Sequence, residues 1–251
     1  MTIHSAGDKG FWPASVCAVY SDRLDGFSKP PFDGFNLGDH VGDEPQAVDS
    51  NRARLVQQLA GCEQVQWLQQ VHGTELLLAD RDTVSAQPEA DAAITSEPGI
   101  AAAVMTADCL PVLISDSNGD QVAAVHAGWR GLLAGVIGTA IDAFDAPSQE
   151  LRVWLGPCIG PRQFEVGSEV RDAFLLGPEF GSAIDLCFAP SGGGRYLADL
   201  HGLARWYLAQ RGVVHVAVNS ECTAECSERY FSYRRDGQSG RMVSLIYRRD
   251  I

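Results

Sequence analysis

Two apolar runs joined by a short turn constrain this chain more than any other feature. Leu110-Pro111-Val112-Leu113-Ile114 and Val122-Ala123-Ala124-Val125-His126 are separated only by residues 115–121. A parallel crossover needs about a dozen residues, so the two runs must form an antiparallel hairpin. Cys109 stands at the head of the first strand and His126 at the foot of the second. Side chains alternate between faces along a strand, so loop length decides whether the two meet. A four-residue loop over 116–119 sets Cys109 opposite His126, with β-carbons about 5 Å apart. A two-residue Asn118-Gly119 turn pairs His126 with Pro111 and keeps Cys109 on the same face. A three-residue loop puts them on opposite faces. A site shared through this hairpin requires an even loop.

Around the hairpin, pattern and punctuation predict mixed secondary structure. Strands are expected over 14–20, 65–71, 75–79, 153–155, 213–218 and 242–247, and the run Ala90-Asp91-Ala92-Ala93-Ile94-Thr95 follows the polar loop that ends at Pro88. Helices are expected over 48–60, where Val48, Leu55, Val56 and Leu59 keep helical spacing before Gly61, and over 132–144, 166–175 and 198–210. Residues 25–43 are rich in Gly, Pro and Asp and read as a long irregular loop, a kind that often carries function. Strands and helices mix without strict alternation, which predicts an α/β fold with a mixed sheet, as one domain over 1–251. No repeat or low-complexity linker divides the chain.

Charge and cysteine usage narrow the partners. A formal net charge of −13 disfavours nucleic acid or an anionic membrane as the main partner, since both need a basic surface. No run approaches the roughly 18 apolar residues of a membrane span. The first ten residues lack the apolar core of a signal peptide, so a cytoplasmic location is expected. Seven scattered cysteines do not form a secreted disulfide framework and are expected as thiols. Nothing in the sequence sets an oligomeric state.

Adjacent thiolate and imidazole have two chemical uses: they bind a soft or borderline ion such as Zn²⁺ or copper, or they form a nucleophile and its base. His72, in Gln69-Gln70-Val71-His72-Gly73, is the best third ligand, because it ends an apolar run and precedes a glycine that permits close approach. On spacing alone, a core in which both histidines are satisfied and Cys109 is a small hydrophobe stands beside these readings. Ala127-Gly128-Trp129-Arg130-Gly131 lies between a strand and a helix, where backbone N–H groups and Arg130 favour an anion. Arg234 and Arg235 make a second basic cluster near Ser232, and Arg52 lies on the helix after the long loop. Cys222 and Cys226, without a second pair, read as turn and core, and Cys158 as packing under a tight loop. His40 reads equally as pocket lining or as a loop hydrogen-bonding group.

Several strings together resemble the laccase-domain family. They are Gln70-Val71-His72-Gly73, Thr106-Ala107-Asp108-Cys109-Leu110-Pro111, Ala124-Val125-His126-Ala127-Gly128-Trp129-Arg130-Gly131, Gly156-Pro157-Cys158-Ile159-Gly160, and Cys222-Thr223 with residues 231–237. Members of that family have been called multicopper polyphenol oxidases and are treated as purine nucleoside phosphorylases and adenosine deaminases. The resemblance spans nearly the whole chain and implies a single-domain layered α/β sandwich with mixed β-sheets flanked by helices. It implies a metal held by His72, Cys109 and His126, and ligand contacts from Arg52, Arg234 and Asn36, with Arg130 and Ser232 in the same motifs. One departure is Arg23-Leu24-Asp25-Gly26-Phe27-Ser28, where the family often has Arg-x-Gly-Gly-x-Ser, so that Asp25 replaces a glycine.

The implied activity is zinc-dependent phosphorolysis of adenosine, inosine and methylthioadenosine, with deamination of adenosine to inosine. The partners expected are a small-molecule nucleoside and phosphate. A two-histidine, one-thiolate Zn²⁺ centre lowers the pKa of bound water towards about 7. The common nucleoside-deaminase signature is absent, which leaves Asp108 as the candidate proton shuttle, with capping of the turn as its alternative role. Copper oxidation of phenols competes, but multicopper oxidases need about ten histidine ligands, and this chain has six histidines. A Cys109/His126 hydrolase editing peptidoglycan precursors is a third reading. A non-enzymatic binding module is a fourth and leaves the metal-ligand set unexplained.

Overall fold

The computed structural model describes residues 3–250; Met1, Thr2 and Ile251, the ends of the expected domain, lie outside the described residues. In chain order the elements are β1 (Ile3–Ser5), β2 (Val16–Ser21), α1 (Pro45–Gln57), β3 (Gln64–Gln66), β4 (Leu76–Leu78), β5 (Ala92–Thr95), β6 (Ile100–Thr106), β7 (Leu110–Asp116) and β8 (Val122–Ala127). There follow α2 (Trp129–Ala134), α3 (Val136–Asp142), β9 (Leu151–Leu155), β10 (Glu165–Gly167), α4 (Ser168–Leu176), β11 (Phe188–Gly192), β12 (Arg195–Ala198), α5 (Leu200–Gln210), β13 (His215–Val218), α6 (Tyr233–Asp236) and β14 (Met242–Arg248). No helix among the described residues is long and apolar enough to cross a membrane.

Two sheets stack face to face, and helices cover their outer sides. One sheet runs β1-β2-β14-β6-β3, and the other β13-β9-β7-β8-β5-β4; both mix parallel and antiparallel pairs. Alternation sorts their residues into layers. Ala102 and Val104 of β6 meet Leu113 of β7, Val122 and Ala124 of β8 and Trp154 of β9 between the sheets. Ala101 and Ala103 turn the other way, with Val243, Leu245 and Tyr247 of β14, onto Leu55 of α1. Val112, Ile114, Val125 and Val153 face α3 and α5 through Ile137, Ile141, Leu203 and Leu208. Alanines at facing positions let the sheets approach without overpacking, which explains why these strands read as continuous apolar runs.

The central hairpin has the register that pairs Pro111 with His126 and Ser115 with Val122. Its loop, 117–120, is one step further along than the sequence suggests, because Asp116 ends the strand instead of starting the turn. The Asp116 carboxylate accepts hydrogen bonds from the amides of Asn118, Gly119, Asp120 and Gln121 at 2.6–3.2 Å. The loop is even in length, so Cys109 and His126 share a face.

Other boundaries differ for identifiable reasons. Pro45 starts α1 earlier than the first apolar residue, since its missing N–H costs nothing at a helix's first position. The helix expected over 132–144 is broken at Gly135, whose φ of 93° separates α2 from α3. The strand expected over 65–71 ends at Gln66, beyond which the chain turns towards the site. Residues 166–167, expected as helix, belong to β10, which joins β12 and β11 in a small sheet that the sequence pattern does not signal.

Candidate metal centre and its cleft

His126 is carried on β8 with Val122 and Ala124 on the face towards the other sheet. Cys109 immediately precedes β7 and shares that face through the register. His72 comes from the loop between β3 and β4. The ligating atoms of these three residues lie within 4.8 Å of one another, and their exposure falls from His72 through Cys109 to buried His126. Cys109 Sγ is 3.8 Å from His72 Nε2, and the two imidazoles meet edge to face with centroids 4.8 Å apart.

Two buried carboxylates hold this arrangement. Asp91, fully buried just before β5, receives the amide N–H of Val71, His72 and Gly73 at 3.2, 2.9 and 2.6 Å. The same carboxylate takes the Nδ1–H of His126 at 2.7 Å, which leaves Nε2 as the nitrogen available to a ligand. His72 sits at φ 62°, a left-handed conformation unusual for a side-chain-bearing residue, and the Asp91 bonds fix it there. Asp108 is also left-handed, at φ 94°. Its carboxylate accepts from Thr223 Oγ1 at 2.6 Å, Ser232 Oγ at 3.0 Å and the Arg234 amide at 2.7 Å. Gly128 completes the cradle, because a β-carbon there would lie 3.0 Å from both Cys109 Sγ and His72 Cδ2.

Electrostatics couple the thiol to the imidazole. Burial pushes the Cys109 thiol up, but the charge and hydrogen bonds of His126, together with His72, overcome it and lower its pKa to about 6. Burial pushes His126 down, but the Cys109 thiolate and Asp91 raise it to about 9. Both shifts favour the thiolate–imidazolium form of the pair in the absence of a metal. Two imidazoles and a thiolate, with the outermost ligand exposed, form the donor set of a three-ligand centre with an open position. A tetrahedral ion with bonds of about 2.0–2.3 Å spaces its ligand atoms about 3.3–3.8 Å apart. Donors within 4.8 Å of one another reach that spacing by small inward shifts, so the residues fit a metal.

The three ligands open into a cleft of about 550 Å³, also lined by His40, Trp129, Arg130, Phe164, Tyr233, Arg234 and Arg241. Arg130 lies 4.4 Å over the Trp129 ring, and Arg234 lies 5.3 Å over that of Phe164 while donating to the carbonyls of Gln163 and Glu165. Arg130 and Arg234 both line the cleft. Asn36, Arg52 and Ser232 do not line it. The Asn36 amide donates to Gly38 and Asp43 and accepts from the amides of Gly38 and Arg241. Arg52 donates to the Leu37 carbonyl, pairs with Asp39 at 3.3 Å and stacks on Trp67. Ser232 is buried between Asp108 and the Arg235 amide. Each bonds a residue that does line it: Asn36 the Arg241 amide, Arg52 the Met105 sulfur and Ser232 the Asp108 carboxylate.

Sequence reasoning misses Asp91 and Arg241. A lone acid inside Ala90-Asp91-Ala92-Ala93-Ile94 is the signal for the first, since a carboxylate in a buried run must have donors. Arg241 has no motif to mark it. Asp25, the departure from the family pattern, adopts φ 56°, the conformation for which glycine is favoured, so the loop's path does not depend on a glycine there. Cys158 and Cys222 are buried free thiols, with Cys222 Sγ accepting the Gly160 amide at 3.1 Å, while Cys226 is partly exposed.

The chain is similar to known proteins over nearly its whole length. A Pseudomonas aeruginosa protein described as purine nucleoside phosphorylase PA4543 is 48% identical over 240 residues, covering 95% of this chain and 96% of its own. The Escherichia coli purine nucleoside phosphorylase YfiH is 45% identical over 235 residues, covering 94% of this chain and 95% of its own. The crystal structure of Neisseria meningitidis protein NMB0706 matches with a TM-score of 0.93 at 41% identity over 100% of both chains. Residues 17–249 match the model of the multi-copper polyphenol oxidoreductase laccase family, and the chain belongs to that family.

Proposed function

We propose that this protein is a zinc-dependent purine nucleoside phosphorylase that also deaminates adenosine. The observation that carries the reading is a single cleft in which a two-histidine, one-cysteine donor set meets three arginines and aromatic walls. That combination suits a flat base, a ribose and an inorganic anion together. The relatives named purine nucleoside phosphorylase support the same assignment.

In phosphorolysis a phosphate oxygen bonds to the ribose C1′ while the C1′–N9 bond breaks, giving ribose 1-phosphate and the free purine. Arg130 and Arg234, with Arg241 beside them, hold the phosphate and offset its charge. Trp129 and Phe164, each already facing an arginine, form the walls that limit water around the reacting carbon. Methylthioadenosine differs from adenosine at C5′, away from the breaking bond, and is a substrate on this reading. In deamination the oxygen of water adds at C6 and ammonia leaves, converting adenosine to inosine. A Zn²⁺ held by His72, Cys109 and His126 supplies Lewis acidity and lowers the pKa of water, and copper suits the same donors. Asp108, its carboxylate already taken by three donors, positions Cys109 and Arg234 in preference to shuttling a proton.

The thiolate and imidazolium pair favours one other reading, a Cys109/His126 hydrolase acting on peptidoglycan precursors. The two separate in one set of measurements: metal analysis of protein purified without added copper, and products formed from adenosine, inosine and methylthioadenosine with and without phosphate. Ribose 1-phosphate or its methylthio analogue only with phosphate, and inosine with ammonia from adenosine, is the expected result. His72→Ala that loses the metal and keeps every activity overturns the metal's role. Muropeptide cleavage abolished by Cys109→Ala, with no nucleoside turnover, selects the hydrolase.

A further inference from the structure

A purine leaving C1′ departs as an anion unless it is protonated, and the cleft has few groups able to supply the proton. His72, Cys109 and His126 form the metal-ligand set, and the Asp108 carboxylate is taken by three donors. Arginines do not release a proton near neutral pH. Among the described lining residues this leaves His40 and Tyr233, and of an imidazolium and a phenol the phenol is the weaker acid.

His40 is also the better placed of the two. It stands where the metal cleft meets a second cavity of about 390 Å³, whose walls add Asp39, Leu68, Gln69, Val71 and Gln87. Its Nδ1 faces Asp39 Oδ1 at 3.5 Å, and the other Asp39 oxygen pairs with Arg52 Nη2 at 3.3 Å. Arg52 is itself anchored by the Leu37 carbonyl and by the Trp67 ring 4.1 Å away. An imidazole whose Nδ1 is turned to a carboxylate presents Nε2 as its working nitrogen. The charged groups facing the ring are Asp39, Arg52 and Arg241, and burial with the Arg241 charge holds it below the ordinary histidine value against the opposing pull of Asp39. The second cavity, with side-chain amides and one buried leucine, has the chemistry to take a purine's polar edge and flat face.

We propose that His40 is the general acid for the leaving purine and that the adjoining cavity receives the base, an inference that rests on the phosphorolysis reading. As the phosphate oxygen bonds to C1′ and the C1′–N9 pair moves onto the purine, the imidazolium form of His40, its Nδ1–H turned to Asp39, passes its Nε2 proton to N7 and is left neutral. The side chain, about half exposed, then recovers a proton from solvent.

The test compares inosine with 7-methylinosine, whose base is already cationic and leaves neutral without a proton. In holoenzyme of His40→Gln, with metal content verified as unchanged, kcat for inosine is expected to fall about 100-fold, a general acid's usual share. For 7-methylinosine the same substitution is expected to cost less than about 3-fold, since no proton is required. Equal losses on both nucleosides assign His40 a binding or structural part and overturn the proposal. No loss on inosine overturns it as well, and a selective loss in Tyr233→Phe instead moves the role to the phenol. Wild-type protein that splits neither nucleoside in the presence of phosphate refutes the phosphorolysis reading itself.

Discussion

Replacing Asp91 by asparagine tests whether a carboxylate outside the ligand set controls the metal centre. Oδ1 serves the His72 amide and His126 Nδ1, and Oδ2 serves the amides of Val71 and Gly73. An asparagine has one acceptor end and one donor end, so it must choose. With its NH₂ towards Val71 and Gly73, two part-buried N–H groups lose their acceptor. With its NH₂ towards His72 and His126, only the part-buried His72 amide does, at no more than the roughly 1–3 kcal/mol of a fully buried unsatisfied donor. The second orientation is cheaper, and it makes His126 an acceptor at Nδ1. The ring's proton then moves to Nε2, the nitrogen that a metal requires free. Asp91→Asn is therefore expected to fold, with stability lowered by no more than about 1–3 kcal/mol, read as a fall in denaturation midpoint at unchanged m. Metal affinity, measured by competition with a chelator, is expected to fall about 10–100-fold, the usual cost of losing such a partner. Affinity within about twofold of wild type would refute the tautomer argument, whatever the stability change.

Three other substitutions or treatments probe the same scaffold. Gly128→Ala places a methyl group 3.0 Å from Cys109 Sγ and His72 Cδ2 at a φ of −63° that alanine adopts freely, so metal affinity is expected to fall while the thermal midpoint barely moves. Removing the metal by chelation is expected to expose Cys109 as the fastest thiol to react with iodoacetamide, at a rate that rises through pH 6 and then levels. Cys62, pushed up to about 12, and Cys187, pushed up to about 11, are expected to lag, and peptide mapping that finds either labelled first contradicts this order. In the long loop, Asp25→Gly is expected to leave folding and activity intact because the position is left-handed, whereas Gly26→Ala drives a β-carbon into the Gly34 backbone and is expected to prevent soluble expression.

The residues that can be read from sequence are those whose neighbours in the chain announce them. His126 and Cys109 end apolar runs, and strand alternation with a short connection leaves few ways to arrange them. His72 is followed by a glycine at the end of another run. Asp91 is different: its donors lie 18–20 residues before it and 35 after it, so no local pattern records the partnership. Asp116 reads as a loop residue because aspartate favours turns, yet it closes β7 by gathering the loop's amides onto its carboxylate. The small sheet of β10, β12 and β11 escapes the sequence pattern because β11 is largely exposed and carries Pro190 and Gly192, which erase the alternation of a buried strand. Arg52 and Asn36 look like ligand contacts in a motif, and only three-dimensional packing shows their side chains bonded to the loop that carries Asp39 and His40.

That division of labour has an energetic consequence. His72 and Asp108 occupy left-handed conformations costing about 1–2 kcal/mol each for an L-residue, and both belong to the ligand-bearing turns. Both turns are held by hydrogen bonds to the carboxylates of Asp91 and Asp108. Asp91 binds the amides of residues 71–73, and Asp108 is bound by Thr223, Ser232 and the Arg234 amide, all through groups that a metal does not touch. The ordering cost is therefore met by folding, from elements separated by more than a hundred residues in the case of Asp108. If the three residues hold a metal, its binding would require the release of protons and small movements of three side chains more than the coupled folding on which small metal-dependent domains rely. The same anchoring ties Arg234 to the residue preceding Cys109, so the cleft's cation and its ligand thiolate share one support and hold a fixed relation to each other before any substrate enters.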